Sequence, residues 1–181
     1  LFGAVDFYQT ISAAGVKPVI GCEVYLLTKG DRKVRSTTQE GKLAHLTLLV
    51  KNRTGYQNLC RMISSAFLEG FYYKPRIDME LLHAHHEGLI ALSGCLKGEI
   101  AQHLNEGNQE EAYAAAKRMS DLFDNNRFYV ELMSHGLEDE DKVRPELIKL
   151  AKEIGLPLVA TNDVHYIDKG DAEAQDALLC I

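Results

Sequence analysis

The clearest indication of the fold lies in residues 128–166, FYVELMSHGLEDEDKVRPELIKLAKEIGLPLVATNDVHY. Two apolar runs, at 127–133 and 157–161, flank a segment at 141–154 whose aliphatic residues recur at helical spacing and which ends at Gly155. This pattern predicts a strand, a helix and a second strand. Strands joined by a helix normally lie parallel in one sheet. The stretch therefore predicts an α/β fold in which helices cover a parallel sheet.

The rest of the chain continues this alternation of strands and helices. Strands are predicted at 19–27, 44–50 and 88–92. The long polar stretch Thr28–Gly41 predicts a solvated loop, and it favours an extended hairpin between the first two of these strands. Helices are predicted at 2–14, 53–68, 78–84, 97–104 and 108–122, and from residue 171 onward.

Composition narrows the class of protein. The chain has 181 residues, of which 46% are hydrophobic and 25% charged, as in an ordinary globular domain with a buried core. Its net charge of −6 argues against nucleic-acid binding by the bulk surface, although local basic loops could still contact phosphates. No apolar run reaches the roughly 18 residues of a membrane span. The four cysteines lack C-x-x-C spacing, which predicts reduced thiols and a cytoplasmic protein.

Residues that bind metals follow three of the predicted strands. Cys95 follows the strand at 88–92, His135 follows the strand at 127–133, and Asp163 and His165 follow the strand at 157–161. The C-terminal ends of parallel strands open onto one face, where the active sites of barrel enzymes lie. Imidazole, thiolate and carboxylate groups suit Zn²⁺, Mn²⁺ or Fe²⁺. We therefore predict a metal site on this face; the alternatives are a surface turn carrying a histidine and a buried, inert thiol.

Two further residues are candidates for the same site. Glu23 interrupts an apolar strand, where an unpaired carboxylate would be costly, so we expect it to be paired, metal-bound or placed at the edge. His45 begins the strand that is expected to pair back against it, which could bring the two side chains within reach.

Two other clusters have simpler interpretations. His83-Ala84-His85-His86 predicts an exposed helix end that binds metal only adventitiously. Residues 70–76 are predicted to form a loop, and its aromatic and basic residues either seal the edge of the sheet or bind a nucleic-acid strand.

Seven segments resemble the polymerase and histidinol phosphatase (PHP) domain, and most closely that domain as it occurs at the N-terminus of the alpha subunits of bacterial DNA polymerase III. The resemblance runs in order along nearly the whole chain, apart from residues 28–42. It implies a distorted barrel of seven βα units, similar to a TIM barrel, with a multi-metal site on its C-terminal rim. The segments are LFGAVDFYQT, GVKPVIGCEVY, HLTLLVKNRTGYQNLCRM, LEGFYYKPRID, EGLIALSGCLKGEI, FYVELMSHG and GLPLVATNDVHY.

The resemblance also implies roles for individual residues. Divalent metal ions (Zn, Mn, Mg or Fe) would be the cofactors. His135 would lie close to the metals, and His135 or Lys97 could stabilise phosphate oxygens on the substrate side. The metal-ligand positions would be Glu23, His45, Cys95, Asp163 and His165.

The family's H-x-H motif, the Asp that follows it and a T-D-H-G-N segment should precede Leu1. We therefore expect residues 1–181 to form a PHP domain truncated at its N-terminal side, with an incomplete barrel lacking its first strands, an incomplete metal site and polymerase domains downstream. The uncapped apolar ends also predict a piece of a longer polypeptide.

The function implied is that of a fragment of a replicative DNA polymerase that carries a metal-dependent phosphoesterase site of the 3′–5′ exonuclease type. The alternative is a non-catalytic scaffold that stabilises the polymerase and docks a separate proofreading exonuclease. The expected partners are DNA, through the polymerase, and other replicase subunits.

Overall fold

This computed structural model describes residues 1–35, 42–124 and 126–181. The strands in these residues are β1 (Gly21–Leu27), β2 (Leu43–Val50), β3 (Phe71–Tyr72), β4 (Lys74–Asp78), β5 (Leu89–Leu92), β6 (Phe128–Leu132) and β7 (Leu158–Ala160). The helices are α1 (Ala4–Ala13), α2 (Arg53–Leu68), α3 (Met79–His85), α4 (Glu99–Asn105), α5 (Gln109–Leu122), α6 (Glu138–Ile154) and α7 (Ala172–Leu179). A short 3₁₀ helix at Lys169–Asp171 precedes α7.

The sheet formed by these strands is open and mixed. Its seven described strands lie in the order β3-β4-β1-β2-β5-β6-β7. β1 and β2 form the predicted antiparallel hairpin, and β5, β6 and β7 run parallel as predicted. The parallel arrangement does not extend to β2, which runs antiparallel to β1, as the predicted hairpin requires, and also antiparallel to β5, which was not predicted. The reason is that a hairpin reverses the chain in the middle of the sheet. The α/β class is confirmed, whereas closure into a barrel stays a prediction.

Burial along β1 and β2 alternates from residue to residue. Val24 and Leu26 of β1, and Leu46 and Leu48 of β2, are at most 6% exposed and belong to the main hydrophobic core, to which α2, α4, α5 and α6 contribute. Full burial of one such side chain stabilises the fold by about 1.5–3 kcal/mol. Successive side chains of a strand point to opposite faces. The residues of opposite parity, which include Glu23 and His45, therefore lie on a second face that is less buried.

The sequence-based prediction missed β3 and β4, which it assigned to a loop. The two strands pair antiparallel across Tyr73, a residue with φ of 57°. β4 then pairs parallel with β1. These strands are short, include Pro75 and turn at a residue that is not glycine, so the usual sequence signals of a hairpin are missing.

The sequence predicts a solvated loop after β1, but this segment contains a buried residue. Arg32 is 7% exposed, and its guanidinium contacts Asp78 at 3.1 Å and Glu69 at 2.6 Å. Asp78 also accepts from the backbone N–H groups of Arg32 and Leu81, so the same carboxylate caps α3. These partners lie far away in the sequence, which is why the local pattern does not reveal them. Residues 36–41 of the predicted loop lie outside the described residues.

The helices near the two ends of the chain are held by few core contacts. Neither α1 nor α7 has a buried residue. The four cysteines are free thiols, as predicted. Within the described ranges, no helix combines the length and the apolar character needed to cross a bilayer.

Candidate metal centre

Glu23, His45 and Cys95 converge on the less buried face of the sheet. The carboxylate Oε1 of Glu23 lies 3.0 Å from Nδ1 of His45, and the Cys95 sulfur lies 3.7 Å from the same nitrogen. One potential ligand atom from each residue falls within 4.8 Å of the other two. In the described part of the chain, this is the only group of three or more His, Cys, Asp or Glu residues that meets that spacing.

Strand pairing explains why Glu23 meets His45. Tyr25 lies directly opposite His45 in the β1–β2 ladder, and Glu23 lies two residues further along β1 on the same face. The Tyr25 and His45 rings meet edge to face with centroids 5.1 Å apart, which fixes the orientation of the imidazole. The side chains of Glu23 and His45 are 39% and 17% exposed, so the pair is accessible from solvent.

The loop after β5 brings Cys95 to this pair. The His45 N–H donates to the Lys97 carbonyl at 2.9 Å, which holds the loop against the start of β2. Gly94 has a φ of 84°, and a Cβ there would lie 2.6 Å from the His45 carbonyl oxygen, so only glycine allows this approach. Burial raises the pKa of the Cys95 thiol, and the charges of Glu23 and Asp163 raise it further. Without a nearby cation, Cys95 is therefore a neutral thiol at neutral pH.

Glu131 is a functional candidate that the sequence analysis missed. It is 5% exposed and accepts hydrogen bonds from the Gly94 N–H at 3.1 Å and the Thr161 hydroxyl at 2.7 Å. Its own N–H donates to the Ser93 hydroxyl. Burial raises the pKa of the Glu131 carboxyl despite these donors. The residue joins the C-terminal ends of β5, β6 and β7. The sequence does contain a signal for this residue: Glu131 is a charged residue within an apolar strand, as Glu23 is.

His135, which follows β6, is held by Glu140, a second acidic residue that the sequence analysis missed. Its Nδ1 lies 2.7 Å from the Glu140 carboxylate, and its Nε2 lies 2.8 Å from the Asn162 carbonyl oxygen. The hydrogen bond with Glu140 is the main reason that the pKa of His135 is raised. Glu140 lies in the first turn of α6, which begins three residues earlier than the predicted start at Asp141.

The remaining predicted residues lie outside the three-residue cluster. Asp163 has a φ of 44°, and its carbonyl oxygen lies 2.6 Å from Nδ1 of His165. Both residues are exposed, and they line an open depression together with His135. Lys97 is exposed beside the Cys95 loop. The geometry thus assembles three of the five predicted ligands around one point.

The His83–His86 run makes local hydrogen bonds at the end of α3. Nδ1 of His83 lies 2.7 Å from the Met79 carbonyl oxygen, and Nδ1 of His86 lies 2.8 Å from the His83 carbonyl oxygen. Among the residues that the structure describes, none of these histidines takes part in a cluster with metal-ligand spacing.

A family model described as "PHP domain" matches residues 1–135. The chain belongs to the PHP domain family. Over its whole length it is 46% identical to a DNA polymerase III subunit alpha of Treponema pallidum and 49% identical to one of Thermus aquaticus. A third relative, the DNA polymerase III subunit alpha of Helicobacter pylori strain J99, is 41% identical. The PHP chain spans only 16%, 15% and 15% of the lengths of these three relatives. The resemblance found in the sequence is confirmed.

The donors in this PHP domain fit a metal ion. A carboxylate, an imidazole and a thiol are the groups that hold Zn²⁺ and related transition metals in proteins. They lie close together on the less buried face of the sheet, which solvent can reach, and a cation there would compensate the negative charges of Glu23 and Asp163, which raise the pKa of Cys95. The Glu23–His45–Cys95 cluster is therefore a possible metal-binding site.

Proposed function

We propose that this chain is part of the alpha subunit of a bacterial DNA polymerase III, and that it carries a metal-dependent phosphoesterase site that removes nucleotides from the 3′ end of DNA. The Glu23–His45–Cys95 cluster carries the proposal, because its three ligand types lie within 4.8 Å at the rim of a PHP domain. The relatives that match the whole chain are DNA polymerase III alpha subunits, which supports replication as the setting.

Asp163 and His165 complete the proposed ligand set from the loop after β7. The charge of Asp163 acts on the Cys95 thiol, which supports a place for it on the same side of the sheet. Glu131 positions the two loops relative to each other, because it accepts from Gly94 on one side and Thr161 on the other. The ions are divalent: Zn²⁺, Mn²⁺, Fe²⁺ or Mg²⁺.

The chain's own residues would bind and orient the phosphodiester. When bound, the metal ions supply an activated water and neutralise negative charge on the phosphate. Hydrogen bonding to Glu140 raises the pKa of His135 and so favours its protonated form; because Glu140 and the Asn162 carbonyl oxygen occupy both ring nitrogens, His135 would act on a phosphate through its positive charge and not through a free N–H group. Lys97 offers a second positive charge beside the Cys95 loop.

Metal loading and hydrolysis of a single-stranded oligonucleotide by the full-length protein test the proposal. We expect Glu23→Gln and Cys95→Ser to lower metal content and to reduce the rate at least about tenfold, since even residues that only support ligands have effects of this size. The matched controls are Glu110→Gln and Cys180→Ser, which change an exposed acid on α5 and an exposed thiol beyond α7.

The two proposed ligands in the loop after β7 are tested separately, with Asp163→Ala and His165→Ala. Loss of hydrolysis in these variants extends the site to the β7 loop. If hydrolysis is unchanged in all four site variants, the activity lies elsewhere and the catalytic proposal is wrong.

A second candidate function is that of a non-catalytic scaffold that docks other replicase subunits, among them a proofreading exonuclease. The observation in its favour is the apolar surface at the end of α2, where Phe67 and Leu68 are 50% and 82% exposed. A scaffold would keep its partners when Cys95→Ser has removed the metal, and it would lose them when Phe67 and Leu68 are changed to serine.

The proposal has three further parts. The PHP domain extends through residue 181, which the parallel pairing of β7 with β6 supports. The complete domain closes into a distorted TIM-like barrel of seven βα units. The protein acts in the cytoplasm, because bacterial DNA replication takes place there.

A further inference from the structure

Tyr73 is exposed and held in an unfavourable backbone conformation. It forms the turn of the β3–β4 hairpin (residues 71–78) with φ of 57°, a region that glycine enters freely and that a bulky residue enters only at a cost. Its side chain is 79% exposed, and its ring lies edge to face against Tyr72 with centroids 4.6 Å apart. Neither core packing nor backbone preference accounts for a tyrosine at this position, which points to a function.

The hairpin is rigid below this turn. The Arg76 side chain donates to the backbone carbonyls of Gly70 at 2.9 Å, Arg32 at 2.7 Å and Val34 at 3.0 Å. Its guanidinium lies 5.3 Å from the centre of the Tyr72 ring. The aromatic surface of Tyr72 and Tyr73 is therefore pre-organised, and little conformational entropy would be lost when a ligand stacks on it.

Exposed lysine and arginine side chains lie near the hairpin although the chain as a whole is acidic, and Glu69 compensates part of their charge through a contact with Lys33 at 4.0 Å. The Lys74 ammonium lies 5.5 Å from the centre of the Tyr25 ring. Lys33 and Arg35 are exposed on the segment that Arg76 holds against the hairpin. An exposed aromatic ring among lysine and arginine side chains is the combination that binds the bases and the phosphates of a single strand.

The hairpin also adjoins the candidate metal centre. Lys74 lies over the Tyr25 ring, and the Tyr25 ring in turn packs against His45. These contacts, from Lys74 through Tyr25 to His45, place the hairpin beside the Glu23–His45–Cys95 cluster. A duplex could not use this surface in the same way, because its bases are already stacked and paired.

We propose that Tyr73 and Lys74 form a binding site for single-stranded DNA that directs the strand toward the Glu23–His45–Cys95 cluster. An unpaired base stacks on the Tyr73 ring, and the ammonium of Lys74 binds an adjacent phosphate. The inference rests on the proposed function, which it deepens by making the substrate an unpaired strand.

Photocrosslinking tests the contact itself. The full-length protein is irradiated in EDTA with a single-stranded oligonucleotide carrying 5-iododeoxyuridine, and the crosslinked peptides are identified by mass spectrometry. We expect a crosslink at Tyr73 that persists in Tyr73→Phe and disappears in Tyr73→Ala. Tyr8→Ala removes another exposed tyrosine, on α1, and should leave the crosslink unchanged.

Hydrolysis and salt dependence measure the contributions of the two residues. With metal present, Tyr73→Ala should raise KM about fivefold to a hundredfold, the range for loss of one stacked base, while kcat stays within about twofold. In EDTA, Lys74→Gln should make the dependence of log affinity on log salt shallower by about 0.7, which corresponds to one lost phosphate contact. The yield of the Tyr73 crosslink against strand concentration gives the affinity of this site alone.

The outcomes separate this inference from the proposed function. A Tyr73 crosslink without metal-dependent hydrolysis supports the strand site and refutes the phosphoesterase. Hydrolysis with no crosslink at Tyr73, and with KM unchanged in Tyr73→Ala, refutes the strand site and leaves the proposed phosphoesterase standing.

Discussion

The buried pair of Arg32 and Asp78 gives a sharp prediction for stability. The two side chains are only 9% and 3% exposed, and the guanidinium contacts the carboxylate at 3.1 Å. Replacing Asp78 by alanine leaves the buried Arg32 with Glu69, which is half-exposed, as its ion partner. It also removes the cap from the Leu81 N–H at the start of α3. We expect Asp78→Ala to lower the free energy of unfolding by about 3–5 kcal/mol, of which the cap accounts for about 1 kcal/mol.

Urea unfolding followed by circular dichroism measures this loss. With a denaturant slope of about 2 kcal/mol per molar, the midpoint should fall by about 1.5–2.5 M. The control is Asp141→Ala, which breaks an ion pair with Arg144 whose side chains are 63% and 30% exposed, and which should cost less than about 1 kcal/mol. If Asp78→Ala costs no more than Asp141→Ala, the pair does not hold the segment after β1 and our account of it is wrong.

The same carboxylate predicts a dependence on acid pH. Burial by itself would raise the pKa of Asp78, but the N–H groups of Arg32 and Leu81 and the Arg32 guanidinium outweigh it, so the pKa is lowered. A lowered folded-state pKa means that the stabilisation is fully present above the unfolded-state value of about 3.9 and is lost as the pH falls through the folded-state value. The stability of the wild type should therefore decline below about pH 4 more steeply than that of Asp78→Asn.

Two other predictions concern the close packing at Gly55 and the pKa of His135. Gly55→Ala should lower the free energy of unfolding, measured with urea, by about 1–3 kcal/mol or more. The reason is that the Cβ of the alanine would lie 1.8 Å from the Gly88 carbonyl oxygen. Gly3→Ala, where a Cβ meets nothing within 4 Å, should have little effect, and equal losses at both sites would contradict the packing argument. Since the hydrogen bond with Glu140 raises the pKa of His135, Glu140→Gln should lower that pKa toward about 6.5 in an NMR titration. The pair stabilises the fold below the unfolded-state pKa and loses this contribution as the pH rises through the folded-state pKa, so an unchanged His135 titration would show that Glu140 is not its partner.

The class of the fold and most of its helices and strands could be predicted from the amino-acid sequence without the structure. Apolar residues that recur about every 3.6 residues predict α2 and α6, and short apolar runs predict β5, β6 and β7. Both signals can be read locally, because they depend only on which face of a helix or strand is buried. The sequence also identified Glu23, His45 and Cys95 as candidates, since a carboxylate in an apolar strand and a thiol after a strand are visible without any knowledge of distant contacts.

How these helices, strands and candidate residues come together is visible only in the folded protein. The tertiary structure placed β2 antiparallel between β1 and β5, and this pairing is what brings His45 beside Glu23 and the Cys95 loop. It also revealed the roles of Arg32 and Glu131, whose partners lie 46 and 30 residues away along the chain. Local patterns encode the burial of a segment, whereas hydrogen bonds and ion pairs between distant segments depend on the register of the whole sheet. For that reason the elements could be read from the sequence, but the geometry of the site could not.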